Sequence, residues 1–149
     1  MRTARIGARA AALLIAAALA RQPIVMGADS APTWRHEVVR SFPHDTEAFT
    51  QGLLFRDGFL YESTGQKGHS SLRKVEIETG KVVQRLGVGN QYFAEGLAAW
   101  GTQLIQLTWE TNIGFVYDRA TFTQLRTFTY KGEGWGLADD GARPQPSPL

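Results

Sequence analysis

A carboxyl group walled by aromatic side chains can exchange protons near neutral pH, because low polarity raises its pKa into that range. Glu95 has such a setting: Phe93 stands two residues before it and Leu97 two residues after. Its segment has two counterparts in the same chain. Phe49-Thr50-Gln51-Gly52-Leu53, Phe93-Ala94-Glu95-Gly96-Leu97 and Glu133-Gly134-Trp135-Gly136-Leu137 keep a Gly-Leu pair and change the residue before it, from Gln51 to Glu95 to Trp135. A glutamine both donates to and accepts from a neutral amide. An indole N–H is a donor set in an apolar wall. With Phe49, Phe93 and Trp109, these groups make an acid/base site with an aromatic lining, provided one scaffold brings them to a common centre.

Each group also has a purely structural use. A repeated glycine lets backbones approach closely at a tapering centre. Gln51 taken alone reads as structural, Phe49 and Phe93 read as core, and Trp100 reads as packing beside a turn. Glu95 stands apart, because a carboxylate between apolar neighbours is costly to desolvate. Its structural use would be a salt bridge to a lysine or arginine at a strand end.

The scaffold follows from the spacing. The Gly-Leu pairs lie 44 and then 40 residues apart, and about 40–45 residues is the period of a four-stranded propeller blade. Alternating apolar and polar residues give the strands. His36–Phe42 reads as a strand ended by Pro43, pairing with a last blade to close a ring. Gly52–Phe55 and Phe59–Ser63 flank an Asp57-Gly58 hairpin signal. Ser71–Glu78 and Val82–Leu86 complete the first unit around Thr79-Gly80. The second unit repeats it, with strands over 96–100, 103–109, 113–118 and 124–130. Counting without gaps, Gly65 is equivalent to Trp109 and Thr64 to Thr108. No stretch after residue 31 has helical periodicity.

The third unit begins at Gly134 and reaches a hairpin signal at Asp140-Gly141. Arg143-Pro144-Gln145-Pro146-Ser147-Pro148 then reads as no second strand, since proline cannot donate to a ladder. The fold class is therefore all-β, a β-propeller with about two blades and the first strand of a third. The 118 residues from Pro32 make one modest domain, short for a propeller of roughly four to eight blades.

Residues 1–31 read as a signal peptide and short linker, 32–141 as a partial propeller domain, and 142–149 as a proline-rich tail outside it. Arg2, Arg5 and Arg9 precede an eleven-residue apolar run, Ala10–Ala20, which ends in the cleavage signal Ala18-Leu19-Ala20. That run is too short to span a bilayer. The expectation is an exported protein, periplasmic or secreted, with no membrane association after cleavage. From Pro32 onward there are twelve basic and thirteen acidic residues, which gives no support to a nucleic-acid partner. With no cysteine, a lipid anchor on cysteine, a disulfide framework and thiol catalysis are excluded. His36, His44 and His69 lack the short spacing of metal ligands, so no metal and no cofactor is expected. His44-Asp45 reads as a turn. Gly65–Gly68 is not a phosphate loop, and no serine sits in a nucleophile elbow.

Eight segments then carry a resemblance, in order and at matching spacings. They are Phe42-Pro43-His44-Asp45, Ala48–Leu53, Tyr61-Glu62-Ser63-Thr64-Gly65, Ser70-Ser71-Leu72-Arg73, Tyr92–Leu97, Gln106-Leu107-Thr108-Trp109, Gly114–Asp118 and Gly132–Leu137. From about Phe42 to Gly141 the chain resembles the glutamine cyclotransferases of the plant and bacterial type. That resemblance implies a five-bladed β-propeller that converts the N-terminal glutamine of peptides or proteins to pyroglutamate, releases ammonia and uses no catalytic metal. It implies that Glu95 is the catalytic carboxylate, taking a proton from the attacking amine and returning one to the leaving nitrogen. Gln51 matches a substrate-orienting glutamine, and Phe49, Phe93, Trp109 and Trp135 match residues lining the substrate pocket. The family's later blades supply an asparagine, another tryptophan and a lysine without counterpart here, so the chain reads as an incomplete copy at its C-terminus. Two other readings stay open. One is a non-catalytic propeller-type module that binds peptide N-termini. The other is a metal-dependent propeller enzyme such as a lactonase, which Gln51, Glu95 and Trp135 at the shared positions argue against.

Overall fold

In a computed structural model, residues 33–139 and 144–146 are described. The expected signal peptide and linker, 1–31, and the Asp140-Gly141 turn lie outside them. The chain divides into two units, Met1–Glu37 and Val38–Leu149. Of the first unit, residues 33–37 are exposed and have no regular structure. The strand expected over 36–42 does not form. Its alternating pattern suits a strand, but no ladder partner satisfies its backbone, and Val38 and Val39 are exposed.

The second unit is all-β, and no helix occurs among the described residues. Strands β1 (Thr50–Arg56), β2 (Phe59–Thr64), β3 (Ser71–Glu76) and β4 (Val82–Gly87) form one antiparallel sheet in chain order. Strands β5 (Ala94–Trp100), β6 (Gln103–Thr108), β7 (Ile113–Asp118) and β8 (Gln124–Thr129) form a second in the same order. The eight strands expected from alternation are thus present. Asp57 and Gly58 join β1 to β2 with φ of 50° and 83°. Two positive φ values in a two-residue loop match the right-handed twist of the flanking strands, which is why Asp-Gly stands there.

A third pair departs from expectation. β9 (Leu137–Asp139) pairs antiparallel with β10 (Pro144–Pro146), Gln145 opposite Ala138. The prolines are two residues apart, so both missing N–H groups fall on one side of the strand. The backbone groups of Gln145 fall on the other side, which keeps a donor for a ladder.

The two four-stranded sheets share one apolar core. Tyr61 and Leu72 from the first pack with Leu97, Leu104, Phe115 and Tyr117 from the second. A buried amide crosses between them: Gln106 Nε2 donates to Ser63 Oγ at 2.8 Å, and Gln106 Oε1 accepts from Tyr117 Oη at 3.1 Å. The Arg119–Asp57 ion pair joins the hairpin ends of the same two sheets.

The repeated glycines account for how the inner strands meet. A Cβ on Gly52 would lie 2.7 Å from Leu97 N, and one on Gly96 would lie 2.6 Å from Leu137 N and from Trp135 O. The same contact therefore recurs one repeat later, β1 against β5 and β5 against β9. Gly96 N–H also donates to Trp135 O at 2.7 Å. The equivalences counted from sequence hold in the backbone: Gly65 N–H donates to Phe49 O at 2.8 Å, and Trp109 N–H to Phe93 O at 2.9 Å.

Candidate active site

Gln51 and Glu95 both sit where strand register breaks. The β1–β2 register shifts between Thr50 and Gly52, with Gln51 between them. The β5–β6 register shifts between Ala94 and Leu97, with Glu95 and Gly96 between them. Such an irregularity re-aims a side chain that a regular ladder would hold in its alternation. It occurs at the same place in both repeats, just before the close-packed glycine.

The four aromatic residues picked out by pattern form one continuous row. Phe49 meets Phe93 edge-on with ring centroids 6.0 Å apart, and Phe93 meets Trp109 at 5.7 Å. Trp109 meets Trp135 at 5.7 Å, tilted. These separations lie in the favourable range for aromatic pairs. Gln51 joins the row: a Cβ on Gly65 would sit 2.7 Å from Phe93 Cζ, nearer still to Phe93 Cε1, and 3.0 Å from Gln51 Cγ. Phe49 and Trp135 are about half exposed, so the row is an open wall rather than closed core.

Glu95 is buried, with 3% of its surface exposed. Among the described residues its carboxyl forms neither a hydrogen bond nor an ion pair. No salt bridge among the described residues gives it a structural role. Burial alone pushes its carboxyl up to about 7. A carboxyl in that state holds comparable amounts of acid and base near neutral pH and can serve as both. Another buried side-chain oxygen that lacks a hydrogen bond among the described residues is Glu62 Oε2.

Several residues around the site were not picked out as candidates from the sequence. Glu133 Oε2 accepts the Trp109 indole N–H at 3.2 Å. Gly134 N–H donates to Trp109 O at 3.3 Å. The Tyr130 hydroxyl bonds the Thr108 backbone. Burial raises the Tyr130 pKa first of all, and the charge of Glu95 adds to it. A second buried carboxylate, Glu62, is engaged on several sides. It accepts from Thr50 Oγ1 at 2.5 Å, bonds His44 Nε2 at 3.0 Å, and lies 3.9 Å from Arg73. Arg73 in turn bonds Asp45 at 2.8 Å. The turn expected at His44-Asp45 forms one step later, at Thr46-Glu47, with Ala48 N–H donating to Asp45 O at 3.1 Å. Among the described residues no group of three His, Cys, Asp or Glu side chains could hold a metal ion.

Comparison with known proteins places this arrangement among relatives. A sequence model of the glutamine cyclotransferase family matches residues 9–145. A glutaminyl-peptide cyclotransferase of Arabidopsis thaliana is 50% identical over 107 residues, which are 70% of this chain and 33% of that protein. The crystal structure of Myxococcus xanthus glutaminyl cyclase matches with a TM-score of 0.66 and 40% identity, over 73% of this chain and 46% of that one. The chain thus spans about a third of the first relative and just under half of the second.

Proposed function

Because the chain belongs to the glutamine cyclotransferase family, we propose that it carries the acid/base part of a glutaminyl-peptide cyclotransferase site. In that reaction the N-terminal glutamine of a peptide or protein closes to pyroglutamate. The α-amine nitrogen attacks the side-chain amide carbon, and a new carbon–nitrogen bond forms. Glu95, as carboxylate, accepts the proton that the attacking nitrogen sheds. As carboxylic acid, it returns that proton to the amide nitrogen. The old carbon–nitrogen bond breaks, and ammonia leaves.

The observation that carries this reading is a buried carboxyl with no partner among the described residues and a pKa raised to about 7, in a chain whose aromatic row stands beside its strand. A paired carboxylate would be held ionised and would be slow to return the proton. Gln51, at the equivalent register break one repeat earlier, suits a neutral amide as donor and acceptor. Phe49, Phe93, Trp109 and Trp135 supply the apolar lining.

In this reading the two sheets and the β9–β10 hairpin are successive blades of a propeller, five-bladed in the family, with the inner strands nearest the axis. The basic and apolar leader supports export to the periplasm or medium. The near-neutral body supports peptide substrates rather than nucleic acid.

The test is ammonia release from a short peptide with N-terminal glutamine, with tryptophan fluorescence reading peptide binding. Glu95→Gln is expected to lower kcat by on the order of 100-fold or more and to leave binding in place. Turnover that survives Glu95→Gln would overturn the assignment, and so would a parent chain that binds the peptide without releasing ammonia.

A further inference from the structure

The β6–β7 ladder ends at Leu107 opposite Gly114. Beyond it, the Thr108 side chain takes over the Ile113 backbone, donating to Ile113 O at 2.6 Å and accepting from Ile113 N–H at 3.3 Å. The Thr108 main chain turns elsewhere. Its N–H donates to the Tyr130 hydroxyl at 3.3 Å, and its carbonyl accepts the Tyr130 O–H. One phenol thus satisfies both backbone groups of a buried residue, using the single donor and the acceptor capacity that a hydroxyl has. The hydroxyl can donate only while it keeps its proton, and burial holds the Tyr130 pKa up.

The same hydroxyl fills a second space. A Cβ on Gly134 would lie 2.8 Å from Tyr130 Cζ and 2.9 Å from Thr108 O, and nearer still to the Tyr130 hydroxyl. Gly134 has no side chain where the phenol passes. Thr108 and Gly134 are the sequence neighbours of Trp109 and Trp135, whose rings meet at 5.7 Å. The Tyr130 ring is itself backed by Phe128 at 6.2 Å, and its N–H donates to Asn112 O at 3.1 Å.

We propose that Tyr130 is a positioning residue of the cyclotransferase site: its hydroxyl clamps the Thr108 main chain, fills the gap left by Gly134, and so fixes Trp109 and Trp135 as one wall. The inference rests on the function proposed above for what the wall does, but not for whether the clamp exists.

The experiment is a double-variant cycle on the full chain with Tyr130→Phe and Gly134→Ala. Each variant is read by tryptophan emission, urea midpoint and kcat/KM for the N-terminal glutamine peptide. Tyr130→Phe removes the nearest of the atoms that an added methyl at 134 would strike and frees the ring to shift. Gly134→Ala should therefore be less harmful in the Tyr130→Phe background than alone, with a visibly smaller fall in midpoint. Tyr130→Phe alone should shift tryptophan emission and raise KM several-fold more than it lowers kcat, because Glu95 is untouched. Should Gly134→Ala not fold, recovery of the fold in the double variant is the expected sign. Strictly additive midpoints overturn the proposal, as does unchanged emission in Tyr130→Phe. A parent without turnover would count against the proposed function, while midpoints and emission would still decide the clamp.

Discussion

Two buried carboxylates show at residue scale how partners decide a role. Glu62 and Glu95 are 1% and 3% exposed. Thr50, His44 and Arg73 surround Glu62, so its carboxyl is tied into the fold. Nothing among the described residues pairs with Glu95, so burial acts on it unopposed. This has a consequence for stability that can be measured without any substrate. Between its ordinary value of 4.5 and about 7, the folded chain keeps a proton on Glu95 that the unfolded chain has released. Stability therefore falls as pH rises through that window and levels off above it. Glu95→Gln removes the ionisation. At pH 4 the variant should match the parent in urea midpoint. At pH 8 it should be the more stable, by on the order of 2 kcal/mol once solvent screening is allowed for. A constant difference between parent and variant at both pH values would mean that Glu95 carries its charge in the fold at no cost.

The inner strands depend on glycines in a way that separates one position from another. Gly96→Ala would push a methyl against Leu137 N and Trp135 O, backbone atoms that cannot rotate aside, and would strain the Gly96–Trp135 hydrogen bond. A loss of about 2–3 kcal/mol is expected, typical of overpacking. Gly87→Ala, with nothing within 4 Å of the added methyl, should stay within about 0.5 kcal/mol of the parent. Thermal midpoints of the two variants check both, and equal losses would show that the close approach at 96 is not what requires glycine. The repeat itself was legible in sequence, because each glycine recurs and each strand alternates. The eight strands of the two sheets were legible for the same reason. The register breaks holding Gln51 and Glu95 were not, since a bulge is a relation between two strands and marks the composition of neither. Pattern also misled twice, where pairing rather than propensity decides. Residues 36–42 alternate well but have no ladder. Pro144 and Pro146 read as strand breakers, yet their two-residue spacing leaves one side of the strand with its donor, and the strand pairs with β9. Tyr130 read only as the end of a strand, because its meeting with Thr108 and Gly134 exists in space alone.

At the scale of the whole molecule, the question is whether the two sheets unfold as one body or as separate repeats. Repeat architectures whose units contact only their neighbours can lose cooperativity. Here the contact between the two sheets is broad. It includes the shared apolar core, the Gln106–Ser63 hydrogen bond and the Arg119–Asp57 ion pair. Removing the buried amide alone would leave Ser63 and Tyr117 without partners in the interior, so the sheets are coupled by polar as well as apolar groups. The tryptophans give a one-sided probe. None lies in the first sheet, while Trp100 ends β5 and Trp109 follows β6. Leu72, fully buried on β3, belongs to the first sheet. Leu72→Ala should cost about 2–4 kcal/mol through the cavity it leaves. If the sheets are one cooperative unit, the tryptophan midpoint in urea should fall as far as the midpoint from far-ultraviolet circular dichroism. A tryptophan transition that stays at the parent's midpoint, while the dichroism splits into two steps, would mean that each sheet stands alone. In that case the wall formed by Trp109 and Trp135 could persist after the first sheet, and Gln51 with it, had come apart.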